Sequence, residues 1–304
     1  MNSKDNKDNK DNNISIIIIG HNTLSTLPET LDSINHLNTH NQTIEVIYVD
    51  DGSCDGSYEC FENTKLIFKK LTFRFINNNG RVAARSKGIE MASGEWLLFL
   101  NSNIIVDSNL IIEYSKSITK GGAFAFSGCL NYNSVDLIFS KYLNQIDRGI
   151  QKYKQHQIIN YQNFLFSNCM IKKSIMESIQ FDVRLKYYGG EELDWAYRMD
   201  KKFPNMMRAS KSALAWRINY PIYTQHLKKL REFGATNFRL LEPRLQIDII
   251  KWKILLNNNI LFKLIFNILY LLCILLYQLP IISNLIIKLG LLCGILKGYY
   301  KTKI

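Results

Sequence analysis

The chain has 304 residues, of which 47% are hydrophobic, so it can bury a sizeable core and wholesale disorder is excluded. The net charge is +12, but residues 201–304 hold 17 Lys and Arg against 3 acids, which places the basic excess at one end of the molecule. A basic end of this kind fits an anionic lipid surface, a nucleic acid or a merely solvated face. The six cysteines form no CxxC pair and no zinc-ligand spacing, and no signal peptide is apparent, so we expect reduced thiols in a cytoplasmic protein.

The first elements are set by a change from polar to apolar sequence. Residues 1–13 repeat Lys, Asp and Asn, and this low complexity predicts a disordered tail outside the fold. Residues 14–19 are a nearly continuous run of β-branched residues, typical of a strand buried on both faces of a parallel sheet. A helical pattern opens at Pro28.

Strands and helices then alternate. Further strands are predicted at residues 44–49, 73–76 and 96–100, with helices at 57–70 and 82–91. This alternation predicts an α/β fold with a mostly parallel sheet and helices on both faces. Each of the four strands ends in a polar cluster, and in such sheets ligands bind beyond the carboxyl ends of the strands. The clusters are His21-Asn22, Asp50-Asp51, Asn79-Gly80 and Asn101-Ser102-Asn103.

The middle of the chain is less regular. Residues 105–118 and 135–153 have helical patterns, and strands are predicted near 124–128 and 164–171. Gly189-Gly190 predicts a turn into a helix over residues 191–199.

Residues 246–304 form a basic, hydrophobic helical segment. Two apolar stretches, 260–279 and 281–296, are separated by Pro280 and flanked by lysines. A membrane span needs about 20 apolar residues, and the flanking lysines favour the cytoplasmic side. We therefore expect a hairpin dipping into the membrane, or two interfacial helices, at the cytoplasmic face of the inner or plasma membrane. The alternative is a helical pair packed on the rest of the chain or on a second subunit. No nucleic-acid motif is visible, so a membrane surface is the expected partner.

Five segments in order resemble the family 2 glycosyltransferases of the GT-A, Rossmann-like fold. They are the strand ending in His21-Asn22, Val-Asp-Asp-Gly-Ser-Cys-Asp-Gly at 49–56, Asn-Gly-Arg-Val-Ala-Ala-Arg-Ser-Lys-Gly at 79–88, Gly-Glu-Trp-Leu-Leu-Phe-Leu-Asn-Ser-Asn at 94–103, and residues 181–198. The similarity covers residues 14–245. It implies an inverting transferase that moves a sugar from a nucleotide-sugar donor, UDP- or dTDP-linked, to a lipid-linked or polysaccharide acceptor in cell-envelope glycan synthesis.

The resemblance also implies roles for single residues. Asp51, or its neighbour Asp50, would bind the donor base, and Arg85 would lie near the base or the diphosphate as a bidentate donor. Turn formation and helix capping are the ordinary explanation for the two aspartates. The other donor-side positions are His21, Asn22, Gly80, Asn101, Ser102 and Asn103.

On the acceptor side, Glu192 stands where the family has its catalytic base, with Glu191 as the neighbouring acid. Gly190, Asp194 and Trp195 belong to the same motif. The ordinary explanation for these acids is a favourable interaction with a helix N-terminus, and Asp194 with Arg198 is a common i,i+4 pair.

One family feature is altered. The Asp-x-Asp motif, which binds a divalent cation on the donor diphosphate, reads Asn101-Ser102-Asn103, and neutral amides are poor ligands for Mg²⁺ or Mn²⁺. The family's later metal-binding His is also missing near Trp216-Arg217, and His226 lies too far along. Three interpretations follow. The metal is weakly held, or it is dispensable because Arg217 or another cation neutralises the diphosphate. In the third, the chain is a catalytically decayed binding or scaffold protein. A membrane-attached nucleotidyltransferase is a further alternative.

Overall fold

The computed structural model describes residues 13–39, 42–257, 259–279 and 282–301, so the tail predicted at residues 1–13 lies almost wholly outside the described residues, as does the predicted break at Pro280. Eight strands form one sheet. In chain order they are β1 (Ile14–Gly20), β2 (Ile44–Asp50), β3 (Lys69–Arg74), β4 (Trp96–Asn101), β5 (Ile104–Val106), β6 (Ala125–Tyr132), β7 (Asn168–Lys172) and β8 (Met207–Arg217). Their order across the sheet is β3-β2-β1-β4-β7-β6-β8-β5.

The first four strands in the chain are parallel neighbours, as the α/β pattern predicts. In register, Gly20 pairs with Asp50, and Ile19 pairs with Asn101, so the polar clusters meet at one edge of the sheet. The other half is mixed: β7 is antiparallel to β4 and β6, β6 is parallel to β8, and β5 is antiparallel to β8. The predicted α/β class is confirmed, with the continuous parallel order confined to β1–β4.

Both faces of the sheet are buried. Along β1, Ile17 and Ile19 pack into the hydrophobic cluster on one face, whereas Ile16 and Ile18 pack into the cluster on the other. A strand buried on both sides has no polar face, which explains the unbroken run of isoleucine in its sequence.

Eleven α-helices lie among the described residues, on both faces of the sheet and at the C-terminus. They are α1 (Leu27–Asn35), α2 (Ser57–Asn63), α3 (Arg81–Met91), α4 (Leu110–Lys120), α5 (Leu137–Leu143), α6 (Lys173–Ser178), α7 (Glu191–Lys202), α8 (Tyr223–Ala235), α9 (Pro243–Ile250), α10 (Ile260–Leu276) and α11 (Ser283–Lys301). Short 3-10 turns occur at Gly149–Lys152, Tyr161–Asn163, Asn237–Leu240 and Lys253–Leu256.

Several predicted boundaries are wrong, because strand pairing overrides the local pattern. The helix predicted over residues 57–70 ends at Asn63, since β3 begins at Lys69 to pair with β2. The helix predicted from residue 105 begins only at Leu110, since Ile104–Val106 pairs with β8. The helix predicted over 135–153 stops at Leu143.

The two C-terminal helices pack on the rest of the molecule. Gly298 of α11 lies so close to the Arg231 carbonyl of α8 that a Cβ there would collide with it, and Gly290 lies against Cys273 of α10. Buried residues of both helices, such as Phe266 and Ile287, belong to the same hydrophobic cluster as the sheet. In the described residues, no helix combines the length and the apolar character needed to cross a membrane.

Candidate functional site

A cavity of about 540 Å³ opens at the carboxyl ends of β1, β2 and β4, beside the start of α3. Seven of the residues predicted from the sequence on the donor side line this cavity. They are His21, Asn22, Asp51, Gly80, Asn101, Ser102 and Asn103. The structure thus gathers residues from four separate segments, as expected for an α/β sheet whose ligands bind at its carboxyl edge.

Asp51 holds together the loop at the entrance of α3. Its Oδ1 accepts a hydrogen bond from the Asn79 amide at 2.7 Å, and its Oδ2 accepts one from the Gly80 amide at 2.9 Å. Burial raises the pKa of Asp51, although these two bonds and the nearby His21 oppose the shift. Asp51 is therefore both a wall of the cavity and a support for the loop.

Asp50 lies outside the cavity wall and is completely buried. Its Oδ2 accepts a hydrogen bond from the Ser53 amide at 2.9 Å and lies 3.5 Å from the Arg74 guanidinium. The sequence predicts that either aspartate binds the donor base. Only Asp51 lines the cavity, so only Asp51 is within reach of a ligand there.

His21 and Asn22 shape the opposite rim. His21 Nδ1 lies 2.9 Å from the Asp51 carbonyl oxygen, and the Asn22 amide donates to Ser53 Oγ at 2.8 Å. The side-chain oxygen of Asn22 accepts from the Cys54 amide at 2.9 Å. These contacts fasten the loop after β1 to the loop after β2.

The Asn101-Ser102-Asn103 segment has its amide groups engaged by the protein. Asn101 Nδ2 donates to Ser167 Oγ at 3.0 Å, and Asn103 Nδ2 donates to the Ile218 carbonyl at 3.2 Å. The only oxygens these side chains offer to a cation are neutral carbonyls, which are weak ligands for Mg²⁺ or Mn²⁺. Within the described part of the chain, no three His, Cys, Asp or Glu side chains are grouped to hold a metal ion. The residues at the Asp-x-Asp position do not fit a resident divalent cation.

Arg85 lies away from the cavity wall and joins α3 to α7. Its side chain is 1% exposed, with Nη1 3.2 Å from Glu191 Oε1 and Nη2 2.6 Å from Glu192 Oε1. The guanidinium also lies over the Phe166 ring. The predicted donor-side arginine and the two predicted catalytic acids thus form one buried ionic cluster.

Glu192 is held in its ionised form. Burial opposes ionisation, but Arg85, Arg81 and the Phe166 amide, which donates to Glu192 Oε2 at 3.1 Å, together hold its pKa below the ordinary value. Its side chain remains 17% exposed, whereas that of Glu191 is 2% exposed. Of the two acids, Glu192 is therefore the one that a second reactant can approach.

Neither Glu191 nor Glu192 lines the cavity; the loop before α7 and Arg81, which lies 3.7 Å from Glu191, stand between the ionic cluster and the cavity. Tyr188 lines the cavity, and burial together with the charges of Glu191 and Glu192 raises its pKa. Asn237, which is fully buried, fixes this loop by donating to the carbonyls of Tyr187 and Gly189 at 2.7 and 2.8 Å. The sequence around Asn237 contains no motif from which this role could have been predicted.

The predicted acceptor-side residues make mainly internal contacts. Asp194 accepts two hydrogen bonds from Arg198, and Trp195 donates from Nε1 to the Ile179 carbonyl at 2.7 Å in a fully buried position. Gly190 precedes α7 with φ +90°, and a Cβ there would meet the Phe233 ring at 2.8 Å. They place α7 rather than line the cavity.

The sequence missed one wall of the cavity. Arg81, Lys186, Tyr188 and Lys229 line it together with Arg217, which had been considered as a substitute for the metal. Arg81 directly follows Gly80 in a motif that resembles the family, so its place in the cavity could have been predicted from its position in the chain. Lys229 lies on α8, a helix without a recognised motif.

Comparison with known proteins identifies the family of the chain. The family described as Glycosyl transferase family 2 matches residues 15–179. The glycosyltransferase GlyG of Streptococcus pneumoniae is 28% identical over 180 residues, which are 55% of this chain and 59% of GlyG. The GalNAc(5)-diNAcBac-PP-undecaprenol beta-1,3-glucosyltransferase of Campylobacter jejuni is 26% identical over 187 residues, 60% of this chain and 58% of that enzyme. The chain thus spans less than two thirds of either relative.

Solved structures support the fold. The crystal structure of GalNAc-T7 with UDP, GalNAc and Mn²⁺ superimposes with a TM-score of 0.58 at 17% identity, covering 75% of this chain and 48% of that one. The matched residues 15–179 are more than half of the chain and contain the four strands and polar clusters that build the cavity. The chain belongs to glycosyl transferase family 2, in agreement with the resemblance seen in its motifs.

Proposed function

We propose that the protein is an inverting glycosyltransferase that uses a nucleotide-sugar donor, UDP- or dTDP-linked, and adds the sugar to a lipid-linked or polysaccharide acceptor of the cell envelope. The observation that carries this proposal is the cavity at the strand ends, with Asp51 on one side and the Glu192 cluster behind the Tyr188 loop on the other. A donor base near Asp51 directs the sugar across the cavity towards α7.

Glu192 is the proposed base. In an inverting transfer, an acceptor hydroxyl oxygen bonds to the anomeric carbon while the bond from that carbon to the diphosphate oxygen breaks, and the hydroxyl proton passes to the base. The base must be unprotonated beforehand, and the low pKa of Glu192 satisfies this at neutral pH. Arg85 positions the carboxylate, because it fixes one oxygen and leaves the side chain partly exposed.

A lipid-linked acceptor at a membrane surface is supported by two observations. The Campylobacter relative is named for an undecaprenol-linked substrate. In addition, the outer face of α10 exposes a row of large apolar side chains: Ile260, Leu261, Leu264, Ile265, Ile268, Leu271, Leu272 and Leu275. An interfacial helix of this kind would hold the cavity near a membrane-bound acceptor.

The donor is tested by thermal unfolding of the full chain with UDP-, dTDP- and GDP-sugars. A ligand at 100 times its dissociation constant stabilises the folded state by about 2.7 kcal/mol. We expect one class of nucleotide sugar to raise the unfolding temperature, and Asp51→Ala to abolish the rise. Equal shifts in the variant, or none with any nucleotide sugar, would contradict the proposed donor site.

The base is tested with Glu192→Gln, which keeps the size of the side chain and its capacity to accept from Arg85. We expect sugar transfer from the stabilising donor to an envelope lipid extract to fall by at least about 100-fold, with donor binding retained. Glu90→Gln, an exposed position on α3, is the control and should transfer at the wild-type rate. Donor binding without any transfer by the wild-type protein would favour the decayed binding protein, for which Asn101 and Asn103 are the motivating observation.

A further inference from the structure

The wall of the cavity next to α7 is strongly cationic. Four basic side chains from four different elements line the cavity: Arg81, Lys186, Arg217 and Lys229. The cavity has two acidic lining residues, Asp51 and Glu232. Four basic against two acidic residues give the lining of the cavity an excess of positive charge.

Aromatic rings help to hold three of these cations in place. The Arg81 guanidinium lies 4.9 Å from the centroid of the Tyr188 ring, and the Lys229 ammonium lies 5.6 Å from the same centroid. The Arg217 guanidinium lies 5.1 Å from the centroid of Tyr220. A ring face positions a cation without cancelling its charge, so the three remain available to an anion.

Negative partners for these cations are few. Arg81 shares Glu191 with Arg85, at 3.7 Å, and among the described residues no carboxylate forms an ion pair with Arg217 or Lys229. Arg217 Nε is buried without a hydrogen-bond acceptor. Desolvation by the cavity walls, together with the charges of Arg81 and Arg217, lowers the pKa of Lys229. A buried donor without an acceptor is costly, which points to an anionic ligand.

The cationic wall stands beside the altered metal position. Two hydrogen bonds join Asn103 to Ile218: the Ile218 amide donates to the Asn103 carbonyl at 3.0 Å, and Asn103 Nδ2 donates to the Ile218 carbonyl at 3.2 Å. Arg217 directly precedes Ile218 in the chain. Neutral amides stand where the family has carboxylates, and Arg217 lines the same cavity. A divalent cation there would lose its ligands and meet a like charge.

We propose that Arg81, Arg217 and Lys229 bind the donor diphosphate directly and take over the charge neutralisation that a divalent metal provides in family members with Asp-x-Asp. This inference rests on the proposed glycosyl transfer. When the bond to the anomeric carbon breaks, its electron pair stays on the diphosphate oxygen, and these three side chains stabilise the added charge. Guanidinium groups suit this task because they bind phosphate oxygens bidentately.

The test is calorimetric titration of the full chain with UDP, dTDP, GDP and inorganic pyrophosphate, in EDTA and again with Mn²⁺. We expect a nucleoside diphosphate to bind in EDTA, with no tightening on addition of Mn²⁺. Arg217→Gln and Lys229→Gln should each weaken binding by about tenfold or more, since each removes one charge-assisted contact. Lys228→Gln is the matched control: it removes the same charge from the adjacent residue of α8, which is exposed like Lys229 but does not line the cavity.

The possible outcomes separate this inference from the proposed function. Binding that requires Mn²⁺, or that is unchanged in Arg217→Gln and Lys229→Gln, would overturn the cationic diphosphate site while leaving a nucleotide-sugar transferase intact. Pyrophosphate binding that is lost in both variants, without any gain from a nucleoside, would support the diphosphate site and count against the proposed donor. Absence of binding by every probe, in protein that unfolds cooperatively, would overturn both.

Discussion

Gly80 shows how a single residue couples the two sides of the cavity. Its backbone has φ +86°, a conformation that side chains with a Cβ rarely adopt, and its amide donates to Asp51. An added Cβ would also collide with the Lys186 carbonyl oxygen in the loop before α7. Glycine at this position therefore allows the donor-side loop and the acceptor-side loop to touch.

Replacing Gly80 with alanine tests this contact at the scale of one residue. Gly80→Ala adds both left-handed strain and a clash with Lys186, so we expect it to lower the free energy of unfolding by roughly 2–4 kcal/mol. Gly121→Ala is the control, because Gly121 also has a positive φ of 72° but has open space around the added Cβ. It should cost about 1 kcal/mol, from strain alone. Equal losses in urea denaturation would show that the Lys186 contact is unimportant.

At the scale of elements, the ionic cluster joins α3 to α7. Arg85 comes from α3, both glutamates come from the first turn of α7, and the guanidinium lies against aromatic rings from neighbouring segments. Removing one partner of a buried ion pair leaves an uncompensated charge. The relative position of the two helices, and so of the proposed base, depends on this arginine.

Arg85→Gln should reveal this dependence as a change of stability with pH. At pH 7 we expect a loss of about 3–5 kcal/mol, because two buried carboxylates lose their cation. In the wild type, the lowered pKa of Glu192 contributes stability above about pH 4.5 that is lost as the pH falls through the folded-state pKa. In the variant, Glu192 has lost Arg85, so burial raises its folded-state pKa above the unfolded-state value. Ionised Glu192 then destabilises the fold at neutral pH. Protonation removes this effect, so the difference in stability from the wild type shrinks as the pH falls.

The measurement is urea denaturation of both proteins at pH 7 and pH 5. Arg198→Gln is the control, since Arg198 also makes two bonds to one carboxylate, that of Asp194, but its side chain is 35% exposed. It should lose at most about 1 kcal/mol and show little dependence on pH in this range. A deficit in Arg85→Gln that stays constant between the two pH values would contradict the linkage to buried carboxylates.

The elements also show what a sequence can and cannot predict. Strands β1, β2 and β4 were predictable because each is buried on both faces and reads as an apolar run that ends in a polar cluster. Strand β8 was not predictable, because partly exposed residues interrupt its buried pattern. Its position in the sheet depends on pairing with β6, a strand more than 70 residues earlier in the chain. Of the cationic wall, the sequence suggested only Arg217; Lys229 was missed because it lies on α8, a helix without a recognised motif.

At the scale of the whole molecule, the charge and the apolar surface lie together at the C-terminal end. Helix α11 fastens α10 to α8, so the outer face of α10 is carried by the same body as the cavity. Lys263 on α10 is exposed, as are Lys251 before this helix and Lys288 on α11. The combination of large apolar side chains with basic residues is typical of helices that lie in the interface of an anionic membrane.

Membrane binding through α10 is tested by cosedimentation with phosphatidylcholine vesicles, with and without phosphatidylglycerol. We expect the full chain to bind, more tightly with the anionic lipid and less at high salt. Ile268→Glu with Leu271→Glu places two charges on the 59% and 56% exposed centre of the face, so binding should weaken by at least about tenfold with no loss of stability. Ile67→Glu, at a position 70% exposed in the loop before β3, should bind as the wild type. Unchanged binding of the double variant would show that the protein binds the membrane through another surface, because an apolar face inserted in the membrane cannot tolerate the two buried charges.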